Sequence, residues 1–64
     1  MITRTYYFPR DAYGRDVINL VASRISCSIG NVHTVADAIA VSFTMPAREE
    51  AAMVRLLHLY DLID

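Results

Sequence analysis

The sequence predicts an α+β domain of order β-α-β-β-α, a three-stranded sheet with two helices packed on one face. Three observations carry that prediction. Residues 2–8 are β-branched and aromatic; the stretches 13–27 and 46–63 repeat apolar residues at helical spacing; and Ile39, Val41, Phe43 and Met45 alternate with small or polar residues, as in a half-buried strand. A mostly α fold is the alternative, because Val32, Val35, Ala36, Ile39, Ala40 and Phe43 also fit one face of a helix. The strand reading is preferred for three reasons: the segment is rich in valine, isoleucine, phenylalanine and threonine, Pro46 bounds it, and a lone first strand would have nothing to pair with.

The first strand, Ile2–Phe8, ends at Pro9-Arg10, and Asp11 follows where a carboxylate can accept the free amides of a helix start. From Tyr13 to about Cys27, Val17, Val21 and Ile25 recur at i+4, with Arg15, Asn19, Ser23 and Ser26 on the opposite side. Gly30-Asn31 is read as the stop, since both tolerate the left-handed conformation that ends helices. A hairpin then runs Val32–Ala36 and Ile39–Met45, turning near Asp37 without a glycine to fix the turn. Pro46 suits a first helical position, and Ala52, Met53, Leu56, Leu57, Tyr60 and Ile63 form a wide apolar stripe opposite Arg48, Arg55 and His58. Asp61, Asp64 and the terminal carboxylate crowd the negative end of that helix, where Arg4, Arg10 or another chain would relieve them. The helices pack through Val17/Val21/Ile25 and Met53/Leu57/Tyr60. The far face of the sheet carries Thr3, Thr5, Ser42, Thr44 and one of Tyr6 or Tyr7.

The 64 residues make a single domain, and a thin one, since a chain this size buries only about 60% of its unfolded surface. Cys27 is the only cysteine, so no disulfide supplements the core, and a lone thiol suits a reducing compartment. Self-association is the remaining supplement, and the 55% hydrophobic content points the same way. The first strand leaves an edge that native proteins pair or protect, so a homodimer through that edge, or capture of a partner's strand, is expected. The net charge of −1, with both signs dispersed, lacks the basic footprint of a nucleic-acid binder. No stretch approaches a membrane span, and the N-terminus lacks the layout of a signal peptide, so the expected location is cytoplasmic.

Order and motif together resemble an ACT-type regulatory domain. Asp11-Ala12-Tyr13-Gly14 stands where that family often has D-x-x-G between its first strand and helix, and Gly30-Asn31-Val32 stands at its turn into the second strand. Glu49-Glu50 and a leucine-rich helix ending in Leu62-Ile63-Asp64 are similar too. The residue before the glycine is Tyr13 rather than the family's usual proline, and no fourth strand precedes Asp64. The resemblance implies an amino-acid-sensing dimer with ligand at Asp11, Gly14 and Asn31.

Chemistry-bearing residues are sparse. A metal site could be drawn from Cys27, His33, His58 and Asp61, but neither Cys-x-x-Cys nor His-x-x-x-His occurs. Neither a metal nor a cofactor is expected. Cys27 near a helix C-terminus is at the wrong pole for thiolate activation, Glu49 and Glu50 diverge on a helix, and two glycines make no phosphate loop. The chain therefore reads as a non-enzyme. Tyrosine and arginine are frequent binding hot spots, so Arg4, Tyr6, Tyr7 and Arg10 form the candidate partner-binding surface. Arg24 joins them at the apolar border of the first helix, where it either lays its stem along the core edge or meets a partner. The leading reading is a small inhibitor or adaptor acting by protein–protein contact; a phage-encoded blocker of a bacterial defence complex, of the anti-CRISPR kind, is one case. Amino-acid sensing is the alternative.

Overall fold

The computed structural model describes residues 1–62 and has the expected element order: β1 (Ile2–Pro9), α1 (Ala12–Arg24), β2 (Ser28–Val35), β3 (Ala38–Met45), a 3₁₀ turn (Ala47–Glu49) and α2 (Glu50–Leu59). The sheet is antiparallel throughout, in the order β1-β3-β2, so the last strand in sequence is the central one. This split β-α-β arrangement, with two helices, is of ferredoxin-like type.

The placement of β3 at the centre follows from its composition. It is the strand with most apolar residues, and Val41, Phe43 and Met45 have no exposed surface. They meet Phe8 of β1, Val17, Val21 and Ile25 from the first helical segment, and Met53 and Leu57 of α2 in one core. Tyr60 and Leu62 are half-buried against it, and no polar side chain is buried among the described residues. Register settles which tyrosine leaves the core. Tyr6 lies opposite buried Val41, on the helix side, whereas Tyr7 lies opposite Ala40 on the open face. Thr3 and Thr5 share that open face, where their hydroxyls bond those of Thr44 and Ser42 at 3.0 Å each.

Asp11 caps α1 as its position implied: its Oδ1 accepts the Gly14 amide at 2.9 Å. The expected stop at Gly30-Asn31 is not where the helix ends. Ile25 is already extended (φ −107°, ψ 135°), and its amide closes the last turn on the Val21 carbonyl. Ile25 remains in the core in this extended conformation, 8% exposed. Gly30 and Asn31 lie inside β2, where the register with β3 shifts between Ile29 and Val32. They mark a bulge rather than a cap, and β2 therefore begins four residues before the expected Val32. The hairpin turns at Ala36-Asp37, with Ala36 at a φ of 46°. Pro46 caps the 3₁₀ turn with an extended ψ of 143°, one step before the first-turn position expected of it.

The end of α2 is a Schellman closure. The Leu62 amide bonds the Leu57 carbonyl at 3.0 Å, the Asp61 amide bonds the His58 carbonyl at 3.1 Å, and Asp61 holds the left-handed φ of 58°. The arginines expected to relieve this acidic end do not reach Asp61: Arg4 pairs with Glu50, and Arg10 bonds the Ala36 carbonyl. Ile63 and Asp64 lie outside the described residues.

Candidate functional site

The five residues singled out as a contact surface divide among four places. Arg4 projects on the helix side of β1, where its Nε donates to Glu50 Oε2 at 2.7 Å and Nη1 donates to the Thr3 carbonyl. Both partners are substantially exposed, so the pair contributes little to stability. Tyr6, half-buried, tilts against Phe43 with ring centroids 6.2 Å apart. Burial raises its phenol pKa, the Glu50 carboxylate raises it further, and Arg4 offsets part of this. Tyr7 stands on the opposite face, 58% exposed. Arg10 Nη1 donates to the Ala36 carbonyl at 3.0 Å, tying the end of β1 to the hairpin turn. Arg24 ends α1 and lines a shallow groove of about 280 Å³ with Ile25, Ala52, Arg55, Leu56 and Leu59.

The D-x-x-G constellation has an architectural use. Asp11 caps the helix through the Gly14 amide, and a Cβ on Gly14 would stand 1.9 Å from the Pro9 carbonyl oxygen. The glycine is there because the first turn of α1 lies hard against the end of β1. Tyr13, between them, donates its hydroxyl to the Tyr60 carbonyl at 2.8 Å and so ties the start of α1 to the end of α2. Asn31 is not beside Asp11 and Gly14: it lies in β2, with β3 between that strand and β1.

Cys27, half-buried just before β2, has its thiol pKa raised by burial and secondarily by Glu49, so it is held as a thiol. His33 sits opposite Ala40 on the open sheet face, whereas His58 and Asp61 lie at the end of α2 on the helix side. Those four residues are not assembled, and among the described residues no three of His, Cys, Asp or Glu are grouped as a metal would need. No helix of the described residues is long and apolar enough to cross a membrane.

The most open surface was not singled out by sequence pattern. β2 contains no buried residue, and Ile29 (43% exposed) and Val32 (59%), on the helix side by register, remain exposed there. Their signal was present, since two apolar residues flank Gly30-Asn31, but reading that dipeptide as a helix stop hid it. Leu59, 74% exposed at the rim of the groove, was likewise submerged in the wide stripe of α2.

No family model, curated protein or solved structure matches this chain.

Proposed function

We propose that the protein is a non-enzymatic binding protein, an inhibitor or adaptor that occupies a surface on another macromolecule in the cytoplasm. A phage-encoded blocker of a bacterial defence complex remains one case of this type. The observation that carries the reading is β2, an eight-residue edge strand with no buried side chain and an exposed Ile29/Val32 pair. The bulge between Ile29 and Val32 interrupts regular pairing along this edge, so the exposed apolar pair makes the contact by side-chain burial. The residues most suited to chemistry are otherwise engaged: Asp11 caps, Arg4 pairs with Glu50, and Cys27 is held protonated. A reduced thiol fits the proposed compartment.

The test replaces Ile29 and Val32 with lysine, the charge that natural edges use against pairing. Immobilised wild-type protein should retain a stoichiometric protein from its host's lysate, and the double variant should lose it while melting at an unchanged temperature. Equal retention by both forms removes β2 as the contact surface. The amino-acid-sensing alternative is supported by element order alone. It predicts a rise in melting temperature with one of the twenty free amino acids, and no shift with any of them removes it.

A further inference from the structure

The two sheet edges are built differently. β2 carries a bulge between Ile29 and Val32, a device that spoils regular pairing. β1 instead holds unbroken register with β3 from Ile2 to Pro9, and among the described residues no strand lies beside its outer edge. A regular edge eight residues long is a template, and the residues along it suit a particular occupant.

We propose that a second copy of this chain pairs antiparallel along β1, about a two-fold axis through Thr5, to make one six-stranded sheet. The proposal rests on the contact-protein reading but concerns the opposite edge from β2. A two-fold axis perpendicular to the sheet puts both pairs of helices on the same side. Directly opposite residues then share a face, so even-numbered residues must meet even-numbered ones. Three centres give long overlaps. With the axis at Arg4, two guanidinium groups lie opposite each other, which repels. With the axis at Tyr6, Arg4 lies opposite Phe8, whose ring is 1% exposed and offers it nothing. With the axis at Thr5, the pairs nearest the axis are complementary and no charged residue faces buried Phe8. Arg4 lies opposite the second copy's Tyr6, within reach of a cation–π contact, and its Glu50 partner keeps the cluster neutral. Ile2 lies opposite Phe8. On the open face, Thr3 lies against the exposed ring of Tyr7, and Thr5 meets Thr5, which carries the Thr5–Ser42 hydroxyl pair across the axis. Arg4 thus selects the register instead of only guarding the edge.

An interface of one strand pair falls in the small, weak class, so association should be concentration-dependent. Sedimentation of the full chain in reducing buffer should show the average mass rising from 7.2 kDa toward twice that value between about 10 µM and about 1 mM. The Arg4→Glu variant, which sets a carboxylate opposite Tyr6 and beside Glu50, should stay monomeric across that range. The paired replacement of Ile29 and Val32 by lysine should dimerise as the wild type does, which separates this interface from the β2 surface. The register is read by cysteine cross-linking in a Cys27→Ser background. Thr5→Cys should form a disulfide-linked dimer on mild oxidation, since directly opposite residues lie about 4.5–5.5 Å apart, within bridging range. Thr3→Cys should not, because the two copies of residue 3 are offset by roughly 14 Å along the strands. A wild-type chain that stays monomeric to about 1 mM overturns the dimer. A dimer that cross-links at residue 3, or fails to at residue 5, overturns the register. If Arg4→Glu does not fold, the cysteine pair still decides.

Discussion

Replacing Gly14 with alanine sets two effects of opposite sign against each other. In a helix interior alanine is favoured over glycine by about 1 kcal/mol, so propensity alone predicts stabilisation. The geometry predicts the reverse. The new methyl would stand 1.9 Å from the Pro9 oxygen and 2.9 Å from its carbonyl carbon, where real contacts stop near 3.0 Å. The obstacle is backbone, and it is held in place because Pro9 lies in register with Ala38 of β3 and the adjacent Phe8 is anchored in the core. Parting α1 from β1 costs about 1–3 kcal/mol as overpacking, and it pulls the Gly14 amide from its Asp11 cap, worth about 1 kcal/mol more. Against the propensity gain, the net loss is about 1–3 kcal/mol. A domain of this length holds roughly 3–10 kcal/mol in total, so the variant should melt about 5–20 °C lower, with a matching fall in urea midpoint. Asp11→Ala, which removes only the cap, should cost about 1 kcal/mol. A Gly14→Ala chain that melts at or above the wild-type temperature would refute the close approach, and with it the architectural account of D-x-x-G.

Asp61→Gly should stabilise the protein by about 1 kcal/mol, by relieving the left-handed φ and removing an acidic group from the negative end of α2; an unchanged urea midpoint would deny the Schellman closure. Ala36→Gly relieves the other positive φ and should gain about 0.5 kcal/mol after the added chain entropy, read as slower amide exchange in the β2–β3 hairpin. Cys27 supplies a pH dependence. Its folded pKa is raised, so above the unfolded value of about 8.5 the folded chain holds the proton more firmly, and stability falls as pH rises through that point. Glu49→Gln removes one of the two causes and should speed thiol labelling at pH 8; an unchanged rate would assign the whole shift to burial.

Element order, both core faces and the Asp11 cap were legible because each depends on neighbours in sequence. Thr3, Thr5, Ser42 and Thr44 were correctly placed on the open face by alternation alone. Alternation could not say whether Tyr6 or Tyr7 joined them, since that choice needs the partner strand, and it was made by Val41 and Ala40. Gly30-Asn31 misled for a related reason. The two residues are equally at home in a helix stop and in a bulge, and only pairing with β3 distinguishes these. Once that dipeptide is read as a stop, Ile29 becomes the tail of a helix and the open edge disappears from view. The scatter of Arg4, Tyr7, Arg10 and Arg24 over separate surfaces is likewise tertiary: residue type marks what favours contact, but not what lies side by side.

The strand order sets a condition on how this chain is made. On a ribosome, residues 1–35 emerge with both outer strands synthesised and nothing between them, because Ile2 must wait for Met45 and Pro9 for Ala38. The hairpin can close early, but β1 joins only by a long-range search, the slow kind of step. Nascent chains halted before Ala38 should remain protease-sensitive, and protection should arrive late, once β3 and α2 have cleared the exit tunnel.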